Sequence, residues 1–317
     1  MPGSSIKSGG ENMKDGIIGD LIYIRKNNML IVNHAHVARD LLDKHARIYS
    51  DRPMTNTMKL CGFDGILSLQ KTGTGTSLIA ELALESKGNT VEIEKIKAMG
   101  TISFLAGADT TMSSISSFLL TMTQHPDIQS KAQAEIARVI GRDRLPTFED
   151  QQSLPYVESI YCKIMRMHPP LPLSVFHISI EDDFYRGYHI PKGCAVVLNI
   201  WAINRDPDVY SEPDKFMPEC FLDSPTGPFK KINDIYAYGF GRRICAGRYM
   251  ADNTVWLAIA SVLATLNLHK AKDGEGNEVN IPGEYTKHFL RHPKPYQSSI
   301  TPCDLQAREL ILATAMA

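Results

Sequence analysis

The amino-acid sequence predicts a mainly α chain with a smaller β portion, an α+β class, on three observations. Ile102, Leu105, Met112, Ile115, Leu119 and Met122 recur at helical spacing and mark one long helix. A second apolar run, Arg248 to Leu266, again reads as helix. Against these, the β-branched runs are short: Leu21–Ile24, Leu30–Val32 and Ala195–Leu198.

The elements follow in order. From Asp20 to Val32 the apolar residues partly alternate, which predicts a pair of strands, and a helix follows over about His36 to Lys44. The segment Ile48-Tyr49-Ser50-Asp51-Arg52-Pro53 is ended by its proline. Lys71-Thr72-Gly73-Thr74-Gly75-Thr76 is a low-complexity seam. Its lysine precedes the glycines instead of closing a phosphate-loop pattern, so nucleotide binding is not expected there. After the long helix, Pro126 suits the first turn of the next, which Gly141 ends. A third helix over about Tyr156 to Met167 stops at Pro169-Pro170, because a proline ring disfavours helix in the residue before it. Short strands and turns run through His189-Ile190-Pro191-Lys192-Gly193 and Ala195 to Leu198. The tail, with Asp273-Gly274 and Pro282-Gly283, predicts hairpins.

Composition narrows the partners. In 317 residues, 34 basic side chains against 35 acidic ones leave a net charge of -1, which gives no global attraction for nucleic acid or an anionic membrane. The 43% hydrophobic and 22% charged content is that of a globular chain with one large core or two modest domains. The 6 cysteines, at 61, 162, 194, 220, 245 and 303, include no Cys-x-x-Cys pair, which argues against a zinc cluster or dense disulfides and for a reducing compartment. Residues 1–19 are polar and glycine-rich and are expected to be disordered, with no apolar core of a signal peptide. Ile102 to Met122 holds Asp109, and Val255 to Leu268 is shorter than the ~20 apolar residues a bilayer requires, so both read as buried core helices.

Two segments carry chemistry. The first is Tyr238-Gly239-Phe240-Gly241-Arg242-Arg243-Ile244-Cys245-Ala246-Gly247. Glycines around a cysteine let the backbone turn tightly and approach a flat ligand, and the positive end of the following helix favours a thiolate. A lone cysteine is ordinarily a small buried hydrophobe, a reading this context reverses. The second is Ala106-Gly107-Ala108-Asp109-Thr110-Thr111 in the long helix. Its small residues allow close approach, and Thr110 can bond back to the Ala106 carbonyl and bend the helix. Asp109 beside that hydroxyl could relay protons, or the two could be a polar pair satisfied by neighbouring helices.

These segments resemble the cytochrome P-450 family, whose cysteine signature reads Phe-x-x-Gly-x-Arg-x-Cys-x-Gly. Gly241, Arg243, Cys245 and Gly247 match it, with Tyr238 in place of the phenylalanine, and the second segment is similar to the family's oxygen-activation motif. The resemblance implies haem b (iron protoporphyrin IX) with Cys245 as the iron ligand, Arg243 on a haem propionate, and Thr110 and Asp109 managing protons. It also implies His177 as a propionate partner, at even odds with a plain hydrogen-bonded histidine. Phe104, Leu105, Ala108, Leu173, Val175 and Phe289 would contact a lipophilic small-molecule substrate, although core packing explains them equally well. O2 and electrons from an NADPH-cytochrome reductase complete the implied reaction. Lys230, Lys231, Arg242 and Arg248 flank the reductase-docking side, or form a solvated basic face, and Arg205 falls in the meander. A monomer on the cytoplasmic side is expected; the family is often anchored to the endoplasmic reticulum, but no anchor is read in this chain.

The resemblance is discontinuous. The part up to about Leu69 is similar to the family's N-terminal strands and early helix, and Thr76 onward to the stretch entering the oxygen helix. A helical block that covers the haem is missing between them. The expected fold is thus a single shortened cytochrome P-450-like domain over 20–317. It divides into N-terminal strands and helix at 20–70, a helical core at 77–175, strands and meander at 176–235, the cysteine loop and helix at 236–268, and hairpins at 269–303. A further departure affects a structural triad, in which Glu-x-x-Arg meets a later arginine. Here the positions read Lys163, Arg166 and Cys220. Lys163 and Arg166 should repel, and breaking such a buried pair typically costs ~3–5 kcal/mol. Glu219 or Glu158 could compensate. Three activities follow as expectations: a monooxygenase of the fungal secondary-metabolite type, a catalytically inactive haem-binding remnant, or a reductase-independent isomerase or dehydratase.

Overall fold

The computed structural model describes residues 16–18, 21–53, 78–222 and 236–314. The expected disorder of most of residues 1–19, the seam at Lys71–Thr76, Cys61, Lys230 and Lys231 lie outside the described residues.

Two cores organise the described chain. The first is β-centred. Strands β1 (Gly16–Ile18), β2 (Leu21–Ile24) and β3 (Met29–Val32) form an antiparallel meander. Helix α1 (Ala35–Arg39) runs into a π-helical turn (Asp40–Lys44) and then helix α2 (Ala46–Tyr49). The single helix expected from His36 to Lys44 is thus underwound at its second half, where His45 N–H donates to Asp40 C=O, five residues back, at 3.1 Å. The later strands β4 (His177–Ile178) and β7 (Ala195–Leu198) extend the sheet in the order β1-β2-β3-β7-β4, with β3 and β7 parallel. Leu30, Val32, Val37, Leu41, Val196 and Leu198 are buried between sheet and helices. Strands β5 (Asp183–Tyr185) and β6 (Tyr188–Ile190) make a separate hairpin, and the short helix α7 (Ile200–Ile203) follows β7.

The second core is helical. It contains α3 (Leu78–Glu85), α4 (Thr90–Gln124), α5 (Pro126–Val139), α6 (Pro155–Met167) and α8 (Arg248–Thr265). Helix α4 begins well before the expected Ile102, because Asn89 caps it by accepting from the amides of Val91 at 3.1 Å and Glu92 at 3.4 Å. Val157, Ile160, Tyr161 and Ile164 of α6 are fully buried at spacings of three and four against Phe118 and Met122 of α4 and Trp256, Ile259 and Leu263 of α8. Each such aliphatic side chain contributes roughly 1.5–3 kcal/mol. Strands β8 (Leu266–Lys270) and β9 (Ser298–Pro302) close the tail. The expected hairpin at Asp273-Gly274 is present: the Asp273 carboxylate accepts from the amides of Glu275 and Asn277, both at 2.9 Å, and Lys272 bridges to Glu278. Pro282-Gly283 is not a hairpin turn. Gly283 there packs against the Gln124 side chain at the end of α4. Helix α9 (Leu305–Thr314), not expected from the sequence, is capped by Asp304 accepting from Ala307 N–H at 2.8 Å.

Candidate functional site

The cysteine loop is pegged into both cores. Tyr238 is buried in the helical core, where its hydroxyl lies 2.9 Å from that of Tyr161. Phe240, two residues on, is buried in the β core and stacks on Tyr236. Between and beside these rings the backbone needs glycine. Gly239 and Gly241 have φ of +83° and +66°, and a Cβ on Gly241 would lie 2.1 Å from the Leu42 carbonyl oxygen in the π-helical turn. The loop closes through Cys245 N–H donating to Tyr238 C=O at 2.9 Å, and Gly247 then caps α8. A Cβ on Gly247 would meet nothing within 4 Å, so its side of the loop is open. Cys245 itself is exposed.

Cys245 shares a cavity of about 390 Å3 with Ala106 and Thr110 of α4, Val175, His177, Tyr238, Gly239 and Arg243. Gly241 and Gly247 are not in its wall. Thr110 Oγ1 donates to the Ala106 carbonyl at 2.6 Å, the back-bond expected of a hydroxyl mid-helix. Asp109 turns out of the cavity to an ion pair with His292 at 3.2 Å and is 54% exposed. Of the six candidate substrate contacts, Val175 lines the cavity. Phe104, Leu105, Ala108 and Leu173 are exposed outside its wall, and Phe289 sits edge-on to Phe176. Residues 102–109 of α4 are all exposed, with Ile102 and Ala106 toward the cavity and Asp109 toward His292.

A basic edge was only half visible in the sequence. Arg243 Nε donates to Ser50 C=O at 2.7 Å, and Arg52 donates to the carbonyls of Val175 at 2.5 Å and Phe176 at 2.9 Å. Burial and the neighbouring Arg243 lower the pKa of Arg52. His177 donates from Nδ1 to Tyr49 C=O at 2.8 Å, and burial, with Arg52 beside it, pulls its pKa down to about 4. No carboxylate is among the described residues lining the cavity. Two guanidiniums and an imidazole at one edge, a thiol on the wall and an otherwise mostly apolar lining fit a flat apolar group bearing acidic substituents and a metal open to sulfur. Haem meets that description. Arg52 escaped notice because no local pattern ties it to Arg243, far along the chain; an arginine wedged between Asp51 and Pro53 is the one signal available.

The altered triad takes a different form. Lys163 and Arg166 are both 2% exposed on α6 but diverge. Lys163 Nζ donates to Cys220 Sγ at 3.7 Å, while Arg166 donates to the carbonyls of Asn204 at 2.5 Å and Pro213 at 2.6 Å and lies over the Tyr210 ring. Glu219 reaches Lys163 through its charge and not through a hydrogen bond: it binds Lys131 at 2.8 Å and the Tyr156 hydroxyl at 3.0 Å. Glu158 accepts from Gln151 at 3.0 Å. Arg205 pairs with Asp214 at 2.8 Å, away from the cavity. Arg242 is exposed, and Arg248 donates to Cys245 C=O at 3.1 Å.

A helical core and a β core meet at a glycine-bracketed cysteine loop, opposite a helix with a back-bonded threonine. The family model described as Cytochrome P450 matches residues 64–300, and the chain belongs to that haem-iron family. Among curated relatives, cytochrome P450 monooxygenase 136 of Postia placenta is 39% identical over 78% of this chain and 48% of its own length. Cytochrome P450 monooxygenase 176 of the same fungus is 42% identical over 74% of this chain and 46% of its own. Cytochrome P450 monooxygenase claR of Ampulloclitocybe clavipes is 40% identical over 74% and 43%. The chain spans about half the length of the curated relatives it matches. A solved zebra fish cytochrome P450 with abiraterone superposes with a TM-score of 0.60 at 26% identity, covering 71% of this chain and 53% of that one. No helix of the described residues is long and apolar enough to cross a membrane.

Proposed function

We propose that this chain binds haem b with Cys245 as the iron ligand and acts as a monooxygenase on a lipophilic small molecule. The observation that carries the reading is the cavity in which Cys245, Thr110 and the basic edge of Arg52, Arg243 and His177 converge. When bound, haem supplies the iron at which dioxygen is activated, so that one oxygen atom enters a C–H bond or alkene and the other leaves as water. The protein's part is positional. Arg52 and Arg243 would hold the two propionates, joined by His177 if a carboxylate neighbour protonates it. Ala106 leaves room over the cavity, and Thr110 keeps its hydroxyl on that wall. Asp109 and His292 stand at the solvent side of the same helix turn, where protons can enter from water. Electrons would come from NADPH through a flavoprotein reductase docking near Arg242 and Arg248, and the reaction would serve secondary-metabolite tailoring.

The test is the carbon monoxide difference spectrum of the dithionite-reduced protein prepared with haem. A thiolate-type Soret band that disappears in Cys245→Ala supports the reading; a band indifferent to that substitution overturns it. A second reading, haem binding without turnover, is favoured by the exposure of residues 102–109 of α4 beside the cavity among the described residues. NADPH-dependent product formation with a reductase would exclude it, and a product formed without NADPH would point to isomerase or dehydratase chemistry.

A further inference from the structure

We propose that Lys163 and Cys220 are a peroxide-driven covalent cross-linking site, joining as a sulfenamide between Lys163 Nζ and Cys220 Sγ. Lys163 is 2% exposed on α6, and its amine donates to Cys220 Sγ at 3.7 Å. Cys220 sits half-buried in the 3-10 turn Pro218–Phe221, which packs on α6, and its thiol donates to Met217 C=O at 3.0 Å. Among the described residues no carboxylate is hydrogen-bonded to the amine. Glu219 is held by Lys131 and Tyr156, and Arg166 is turned to the Asn204 and Pro213 carbonyls. The buried amine therefore has the sulfur as its hydrogen-bond acceptor.

That environment suits both halves of the reaction. Cys220 Sγ is the atom a peroxide oxidises, and the Lys163 amine already stands at hydrogen-bond distance from it. Burial, and the Arg166 charge on the same helix, lower the Lys163 pKa to about 8, so roughly a tenth of the amine is a neutral nucleophile at pH 7 and about half at pH 8. With hydrogen peroxide as oxidant, the sulfur takes one peroxide oxygen, giving a sulfenic acid and water. The Lys163 lone pair then attacks that sulfur, the S–N bond forms, the S–O bond breaks, and hydroxide leaves with the amine proton as a second water. Sulfur is oxidised by two electrons and the peroxide is reduced by two. The product would tie the 3-10 turn to α6 where the family's arginine-carboxylate triad is missing.

The experiment is tryptic peptide mass spectrometry of the full chain before and after equimolar hydrogen peroxide, with or without haem. A cross-link predicts loss of cleavage after Lys163 and a species joining Leu145–Arg166 to Phe216–Lys230, lighter by two hydrogens than its parts and reversed by dithiothreitol. Lys163→Arg and Cys220→Ser should abolish it, and Cys162→Ser should leave it unchanged. A disulfide from Cys162 to Cys220, recognised by intact cleavage after Lys163, would overturn the proposal. So would Cys220 oxidised to sulfinic acid with Lys163 still cleaved. Neither outcome depends on whether Cys245 binds haem.

Discussion

Replacing Gly241 with alanine tests how the cysteine loop is built. Two costs add. At φ +66° an L-residue is in the left-handed region, which costs roughly 1–2 kcal/mol. The new Cβ would also lie 2.1 Å from the Leu42 carbonyl oxygen and 2.7 Å from its carbon. Both are backbone atoms, so no side-chain rotation relieves the clash and the loop must lift from the π-helical turn, an overpacking cost of about 1–3 kcal/mol. Gly239→Ala supplies the internal control: its φ is +83°, but a Cβ there meets nothing within 4 Å, so it should lose only the roughly 1–2 kcal/mol of strain. Urea unfolding followed by the fluorescence of the fully buried Trp256 should place Gly241→Ala about 2–5 kcal/mol below the unsubstituted protein, and clearly below Gly239→Ala. Leu42→Ala should not rescue it. If the two glycine variants lose the same stability, the loop does not rest on Leu42 and the account of how Cys245 is positioned fails.

Lys163→Met should stabilise the chain by about 1–3 kcal/mol at pH 7, because a buried ammonium is replaced by an apolar chain of similar length. The folded-state pKa of about 8 lies below the ordinary lysine value of 10.5. The unfolded chain therefore binds more protons between those values and the unsubstituted protein gains stability as pH rises through them. The advantage of methionine should accordingly vanish by about pH 10.5 in urea titrations, and an advantage independent of pH would refute the argument. Asp109→Asn removes only a half-exposed pair with His292, so urea midpoints should move by less than ~1 kcal/mol while product formation in a reconstituted assay falls. Arg52→Ala breaks bonds to the Val175 and Phe176 carbonyls and should cost about 1.5–3 kcal/mol in urea unfolding, with weaker haem retention read by titration of the Soret band.

Long-period features were legible in the sequence and long-range ones were not. The apolar spacing of α4 and the prolines around α6 are local signals; α6 lies where they place it, whereas α4 starts earlier at Thr90 and leaves Ile102, Leu105 and Met112 exposed instead of in the core. The break of the first helix at Asp40 has no such signal, since a π-helical turn differs from an α-helix by a single residue of register. At the site, the Cys245 loop and the Thr110 helix were read from motifs, whereas Arg52 and His292 reach their places only through tertiary packing. The triad shows a subtler limit. Adjacency on one helix face predicts that Lys163 and Arg166 repel, yet their side chains part to opposite acceptors, a thiol and two carbonyls.

The same geometry explains how the described residues hold the cysteine loop. The contacts that fix it are the Tyr161 hydroxyl on Tyr238, the β core around Phe240, the Leu42 carbonyl under Gly241 and the Ser50 carbonyl on Arg243. On the opposite wall residues 102–109 of α4 are exposed, and Ile102 and Ala106 among them line the cavity. Among the described residues the loop is therefore better supported than the wall facing it. Ligand binding by Cys245 should accordingly survive in this chain with little selectivity among apolar ligands, because the residues that would discriminate between them are those left open to water.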